Sequence, residues 1–220
     1  MEEHRPTPEE ILKKIRMIAP DETRVRQGRL KIFFGYAAGV GKTYAMLQEG
    51  LRLKQQHVDV VIGYLEPHDR PETMALAEHL ETVPPREWRV GDAVFHEMDV
   101  EAILARKPQV VLVDELAHTN ADGSKNDKRY SDVLEVLAQG INVISTINVQ
   151  HLESVAARVE EATGIAVRER IPDTVLRRAD QVVNVDVTKE ELRERLRQGK
   201  IYAPQQAERA LSSFFTYENL

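Results

Sequence analysis

The feature that most constrains this chain is a glycine-rich turn between a β-prone run, residues 30–34, and a run of helical character, residues 42–56. The turn consists of Gly35, Tyr36, Ala37, Ala38, Gly39, Val40, Gly41, Lys42 and Thr43. Glycines allow consecutive backbone N–H groups to turn inward around an oxyanion, and a helix N-terminus places partial positive charge at the same point. The turn therefore predicts a Walker A-type phosphate-binding loop within an α/β fold.

This loop departs from the usual pattern in one respect. The pattern G-x-x-x-x-G-K-[ST] places a glycine where this chain has Tyr36, and the nearest glycine is Gly35, one residue earlier. Residues 39–43 keep the order that holds phosphate, so we expect Lys42 at the β- and γ-phosphates and Thr43 at Mg²⁺. The alternative is a tight glycine turn that binds no ligand.

A second motif supplies the acidic half of the predicted site. The continuous apolar run 110–113 is typical of a strand covered on both faces, and it ends in Asp114 and Glu115. We expect Asp114 to hold Mg²⁺ through water, opposite Thr43, as a Walker B-type acid does. Glu115 is placed to polarise an attacking water or hydroxyl. The alternative is a strand that emerges into two solvated acids, but together the two motifs predict a nucleotide site for ATP and Mg²⁺.

Further polar residues bear on whether such a site turns over its nucleotide. Fast hydrolysis or transfer needs extra positive charge on the γ-phosphate. The candidates are three basic residues in the loop after the acidic strand, Lys125, Lys128 and Arg129. Thr146 and Asn148, where the next strand leaves the sheet, are predicted nucleotide-binding sensors of the γ-phosphate. Residues 118–120 have two open interpretations, a nucleotide sensor or a plain turn.

The alternation of β-prone and helical segments along the chain predicts the fold class. The pattern predicts, among others, helices at 8–18 and 71–81 and an edge strand within 83–96. Strands that alternate with helices of 10–15 residues indicate βαβ units and a mainly parallel sheet. We therefore expect a three-layer α/β fold of the P-loop NTPase type, with a small C-terminal helical extension. The predicted organisation is an N-terminal helix and lead-in over 1–29, a nucleotide-binding domain over 30–187 and the extension over 188–220.

Composition excludes several other classes of protein. The net charge of −6 disfavours nucleic acid as a partner, because proteins that bind nucleic-acid phosphates usually carry a basic balance. The absence of cysteine excludes a disulfide scaffold, a thiolate zinc site and a cysteine nucleophile. The first ten residues are acidic and polar, which argues against a secretory signal, and the apolar runs are far shorter than the ~18 residues of a membrane helix. We expect a cytoplasmic domain with no membrane insertion of its own.

Four segments resemble the N-terminal domain of the KdpD family of two-component sensor histidine kinases. They are IFFGYAAGVGKTYAMLQEG, VVLVDELAHTNADGSKNDKRYSDV, INVISTINVQHLES and GKIYAPQQAERAL. The resemblance runs from about residue 30 to residue 220, and DELAHTN with INVQHLES is far more specific than a phosphate loop alone. It implies a regulatory ATP-binding domain of a membrane-anchored kinase that responds to potassium limitation and osmotic stress. The family shares the early glycine at Gly35.

The resemblance also implies partners and limits. The acceptor histidine and the ATP-hydrolysing kinase domain of the family lie further along the parent chain, so the expected partners are those later domains. The response regulator of the phosphorelay is expected only through the parent, an inner-membrane or plasma-membrane sensor protein. Two alternatives stay open. The first is an enzyme within this domain, either a phosphotransferase of serine/threonine kinase type or an ATPase, with Glu115 as base and Lys42 as charge stabiliser. The second is a scaffold whose fold the nucleotide stabilises.

Overall fold

The computed structural model describes residues 27–66, 70–202 and 204–217. The strands are β1 (Leu30–Gly35), β2 (Val60–Tyr64), β3 (Glu81–Thr82), β4 (Arg86–Val90), β5 (Ala93–Glu97), β6 (Val110–Val113), β7 (Asn142–Asn148) and β8 (Gln181–Asn184). The helices are α1 (Lys42–Gln55), α2 (Pro71–Ala77), α3 (Val100–Arg106), α4 (Arg129–Ala138), α5 (Glu153–Thr163), α6 (Asp173–Arg177), α7 (Lys189–Arg197) and α8 (Pro204–Ser212), with a 3₁₀ turn at Val149–His151. The expected helix at 8–18 lies outside the described residues.

Six strands form one parallel sheet in the order β3-β2-β6-β7-β1-β8. The central strand β6 is buried along its whole length, as its unbroken apolar sequence predicts. Its side chains alternate between two cores: Val111 and Val113 pack with α3, α4 and α6, while Val110 and Leu112 pack with α1 and α2. The chain is therefore three layered, and the predicted α/β fold with a mainly parallel sheet is confirmed.

The C-terminal helices pack against the glycine-rich loop. Ala37 and Val40 of the loop share a small apolar core with Leu192 and Leu196 of α7. Residue Ile201 lies directly on the loop, because a Cβ added at Gly39 would stand 2.1 Å from its Cδ1 atom. The helical extension is thus present and contacts the predicted phosphate loop, while the proposed domain boundary at 187/188 stays a prediction.

Three local features differ from the pattern expected from sequence. The possible edge strand within 83–96 is instead a separate antiparallel hairpin, β4–β5, closed by a two-residue turn at Gly91 and Asp92. Helix α2 ends at Ala77, four residues before the expected end, because the chain turns there to place β3 beside β2. Helix α6 had no expected counterpart. Within the described ranges, no helix has both the length and the apolar character needed to cross a bilayer.

Candidate functional site

The sheet topology brings the two predicted motifs to one edge. Strand β7 lies between β1 and β6, and all three run parallel, so their carboxyl ends meet. The glycine-rich loop follows β1, Asp114 and Glu115 follow β6, and Thr146 and Asn148 lie at the end of β7. The carboxyl ends of parallel strands are where α/β proteins bind ligands. The structure therefore brings most of the predicted residues into one cleft, namely Gly39, Lys42, Thr43, Asp114, Glu115, Thr146 and Asn148. Gly35, Val40 and Gly41 are not among the residues that line it.

Backbone geometry explains the glycines of the loop. Gly39 and Gly41 have φ angles of 86° and 104°, in the left-handed region that side chains disfavour. Gly35, the early glycine, is needed for space instead, since a Cβ there would stand 2.6 Å from Val40 Cγ2 and 3.1 Å from Lys42 Cδ. The offset from the usual pattern thus coincides with a close approach of the loop to the end of β1.

Lys42, the first residue of α1, is only 8% exposed. Its Nζ donates a hydrogen bond to the carbonyl oxygen of Ala37 at 3.0 Å, within the loop itself. Burial lowers the pKa of Lys42 to about 8; Asp114 and Glu115 oppose this shift, and the neighbouring Arg70 adds to it. The ammonium group is therefore poorly solvated and lies close to a second cation.

Asp114 is fully buried and held by two hydroxyl groups. The Oγ1 of Thr43 lies 3.1 Å from each of its carboxylate oxygens, and the Oγ1 of Thr146 donates to Oδ1 at 2.5 Å. Burial raises the pKa of Asp114, and the hydrogen bonds from these hydroxyls oppose that effect. The Thr146 hydroxyl also accepts the backbone N–H of Glu115 at 3.0 Å, so one β7 side chain positions both acids.

Two features of the cleft distinguish it from a simple structural network. Glu115 has a φ angle of 53°, which costs a residue other than glycine about 1 kcal/mol or more. Asn148 has a buried Oδ1 without a hydrogen-bond partner among the described residues. Both residues line a cavity of about 60 Å³ together with Lys42, Thr43 and Asp114. Strained and unsatisfied groups of this kind cluster at binding sites.

Behind the two acids lies a buried charged network centred on Arg129. Its guanidinium is 0% exposed and lies 3.7 Å over the ring of Tyr64. It donates to the carbonyl oxygens of Asp114 and Glu115 at 3.2 and 3.4 Å and lies 3.5 Å from the Glu97 carboxylate. Arg129 therefore braces the backbone that carries the acids.

His118 joins this network to the loop that follows α5. Its Nε2 lies 3.1 Å from Glu97, and its Nδ1 lies 3.5 Å from Glu169. Burial lowers the pKa of His118, but the hydrogen bonds with Glu169 and Glu97 outweigh it and raise the pKa to about 9. The imidazolium is thus the protonated form near neutral pH, and it links two carboxylates.

The three basic residues considered for the γ-phosphate occupy other places. Lys125 pairs with Glu135 at 2.6 Å, and Lys128 donates to Thr119 Oγ1 at 2.6 Å. Neither of these lysines lines the cleft, and Arg129 does not line it either, among the residues that the structure describes. Arg70 lines it instead. Sequence reasoning missed Arg70, although its place after β2, which ends at the same sheet edge, was a usable signal.

The fold and site together define a parallel α/β domain with a glycine-rich loop and paired acids at the strand ends. Residues 26–220 match the family described as "KdpD: Osmosensitive K+ channel His kinase sensor domain", and the chain belongs to this family. A putative sensor protein KdpD from Synechocystis is 56% identical over 89% of this chain and 53% of its own length. Sensor proteins KdpD from Mycobacterium tuberculosis and Escherichia coli are 52% and 46% identical over 91% and 98% of this chain. The chain spans 23% of the length of each of these two.

Proposed function

We propose that this domain binds ATP with Mg²⁺ and regulates a KdpD-like sensor histidine kinase that controls potassium-uptake gene expression. The observation that carries the proposal is the convergence of the loop, Lys42 and Thr43 with Asp114 in one cleft. Loop N–H groups and the α1 N-terminus attract phosphate, and Lys42 is positioned to exchange its loop carbonyl for a phosphate oxygen.

The residues present also fit Mg²⁺. The hydroxyl of Thr43 and the carboxylate of Asp114 are hard oxygen ligands 3.1 Å apart, and Mg²⁺ is usually held by one or two such groups together with substrate phosphates. The buried Oδ1 of Asn148 supplies a further oxygen acceptor in the same cavity. Bound Mg²⁺ would neutralise negative charge on the phosphates, while Thr43 and Asp114 hold it.

Regulation requires only that ATP·Mg²⁺ bind two conformations of the parent with different affinity. Family membership and the greater length of the relatives support partners within a longer sensor protein. We accordingly assign the domain to the cytoplasmic side of a membrane-anchored parent, where its later domains are the direct partners. The response regulator of the two-component system is then reached through the parent.

Calorimetry with ATP·Mg²⁺ tests this function on the wild-type chain, on Lys42→Ala and on Lys54→Ala. Lys54 lies on the same helix, is exposed and donates to the carbonyl oxygen of His79, so it is a matched control. We expect wild type and Lys54→Ala to bind alike and Lys42→Ala to lose most of the affinity. Equal binding by all three variants, or no binding by the wild type, would contradict the proposal.

A second function, phosphoryl transfer to a hydroxyl or to water within this domain, is favoured by one observation. Glu115 lines the cleft from a left-handed backbone conformation that Thr146 and Arg129 hold in place. A carboxylate so placed suits a general base. Release of phosphate, or transfer of a γ-label, in wild type but not in Glu115→Gln, with ATP binding retained in both, would establish it. If the wild type binds ATP without turnover, regulation is the only one of the two functions that remains supported.

A further inference from the structure

Arg70 is a half-buried cation that the two sequence motifs do not include. Its backbone is fixed at the start of α2, because its carbonyl oxygen accepts the N–H groups of Thr73 and Met74 at 3.0 Å and Pro71 follows it. Its side chain enters the cleft that Lys42 and Asp114 line. The backbone at Arg70 is thus fixed beside the cleft that its side chain lines.

One hydrogen-bond donor of Arg70 has no partner. Its Nε is buried and has no hydrogen-bond partner among the described residues. A buried unsatisfied donor on a charged group costs free energy, so native proteins rarely keep one without a function. Arg129, near the same acids, also has a buried Nε without a partner among the described residues, but its terminal nitrogens donate to carbonyl and carboxylate oxygens and it does not line the cleft. The Nε of Arg70, by contrast, belongs to a side chain that lines the cleft and is available to an anion bound there.

The charge balance of the cleft indicates the same kind of ligand. Lys42 and Arg70 are close enough that the charge of Arg70 lowers the pKa of Lys42. Burial likewise lowers the pKa of Arg70, whereas Asp114 and Glu115 oppose the shift. Once Asp114 holds Mg²⁺, the metal, Lys42 and Arg70 together carry more positive charge than Asp114 and Glu115 balance. An anion of several charges would relieve their repulsion.

The position of Arg70 within the cleft selects the part of the nucleotide. Loop N–H groups hold the α- and β-phosphates, and the lysine reaches the β- and γ-phosphates. Asp114 and Glu115 line the same cleft as Arg70, so a γ-phosphate beside Lys42 and Mg²⁺ would lie in the space that Arg70 also lines. We propose that Arg70 binds the γ-phosphate and makes the site selective for nucleoside triphosphates over diphosphates. This inference rests on the proposed function.

Selectivity of this kind would give the regulatory site its signal. A triphosphate engages Arg70, whose backbone begins α2, whereas a diphosphate leaves the guanidinium unbound. The presence of a γ-phosphate is thereby connected directly to the segment that packs against β2 through Ala77 and Leu80. Arg70 is a binding residue in this scheme, and no chemical step is assigned to it.

The test measures affinities for a non-hydrolysable ATP analogue and for ADP, each with Mg²⁺, in wild type, Arg70→Ala, Arg70→Lys and Arg89→Ala. Arg89 is the matched control, because its side chain is 76% exposed on the hairpin. We expect Arg70→Ala to weaken binding of the triphosphate analogue by about 10- to 100-fold, the effect of a lost charged hydrogen bond, and ADP binding by less than about 3-fold. Arg70→Lys keeps the charge without the planar fork and should fall between.

Each outcome decides a different claim. Equal loss of affinity for both nucleotides, or no loss for either, would overturn the role of Arg70 while the proposed function stands. A wild type that binds neither nucleotide would overturn the proposed function and this inference together. ADP binding and circular dichroism show whether Arg70→Ala is folded; if it is not, Arg70→Lys carries the comparison, and an unchanged ratio of the two affinities in it contradicts the inference.

Discussion

Two arginines lie near the same pair of acids, a fully buried one outside the cleft and a half-buried one that lines it, and their surroundings differ. Arg129, behind β6, contacts two carbonyl oxygens, a carboxylate and the ring of Tyr64. Arg70, in front of β6, lines the cleft with its Nε buried and unpartnered among the described residues. Arg129 also has a buried Nε without a partner among the described residues, but its terminal nitrogens contact oxygens of the protein and it lies outside the cleft, whereas Arg70 lines the cleft.

This difference separates stabilising charges from ligand-binding ones. A buried charge that is paired and hydrogen bonded braces the fold, and removing its partner is strongly destabilising. A buried charge without partners reduces stability until a ligand satisfies it. We therefore expect substitution of Arg129 to change mainly the free energy of unfolding, and substitution of Arg70 to change mainly the affinity for nucleotide.

The largest effect is expected for Arg129→Met. The substitution removes one of the two cations beside Glu97, leaving only His118, and leaves two carbonyl oxygens without their donor, so the free energy of unfolding should fall by about 3–5 kcal/mol. Urea denaturation measures the change, with Arg89→Ala as the exposed control, for which a change within about 0.5 kcal/mol is expected. A loss below about 1 kcal/mol for Arg129→Met would contradict the stabilising role assigned to Arg129.

The same network should give stability a pH dependence through His118. Its pKa is raised from 6.5 to about 9 in the folded chain, so its contribution is complete below pH 6.5 and is lost as the pH rises through 9. The free energy of unfolding should fall by at most about 3 kcal/mol more across this interval in wild type than in His118→Asn. Denaturation at several pH values measures this difference. Parallel curves for the two chains would show that His118 is not held as an imidazolium.

The sequence allowed much of the fold to be predicted, for identifiable reasons. Strands such as Val110–Val113 are unbroken apolar runs bounded by polar residues, and the helices between them have ordinary lengths. The hairpin at 86–97 was not predicted, because its exposed strands lack the alternation that marks a half-buried strand. Helix α6 has only five residues, too few for a periodic signal.

The candidate site was predictable where it follows local spacing. Lys42, Thr43 and Asp114 belong to contiguous motifs, and the structure brings them together. Arg70 and Arg129 could not be assigned correctly in this way, because their environments depend on which sheet edge and which face the chain reaches. A basic residue in a polar loop looks the same in sequence whether it becomes buried and paired, buried and unpaired, or solvated.

A smaller effect is expected where the loop meets the C-terminal segment. Gly39→Ala adds a Cβ at a φ angle of 86° and 2.1 Å from Ile201 Cδ1, whereas Gly91→Ala, at 59°, meets nothing within 4 Å. Both substitutions should cost about 1 kcal/mol for the left-handed backbone, and Gly39→Ala a further 1–2 kcal/mol for overpacking. Thermal denaturation measures the two variants. Ile201→Ala combined with Gly39→Ala should recover part of the second cost; equal losses for the two glycines would refute the contact.

The smallest change in stability, and the sharpest test of the comparison, is expected for Arg70→Met. Without nucleotide, this variant should be as stable as wild type or more stable by up to about 1 kcal/mol, because a half-buried guanidinium with an unpartnered Nε is replaced by an apolar side chain of similar length. With ATP at 100 times the wild-type Kd, binding adds about 2.7 kcal/mol to the wild type but only about half as much to a variant with 10-fold weaker affinity. The order of the two melting temperatures should therefore reverse on adding ATP. If Arg70→Met were destabilised without nucleotide by as much as Arg129→Met, both arginines would stabilise the fold, and the assignment of Arg70 to ligand binding would be contradicted.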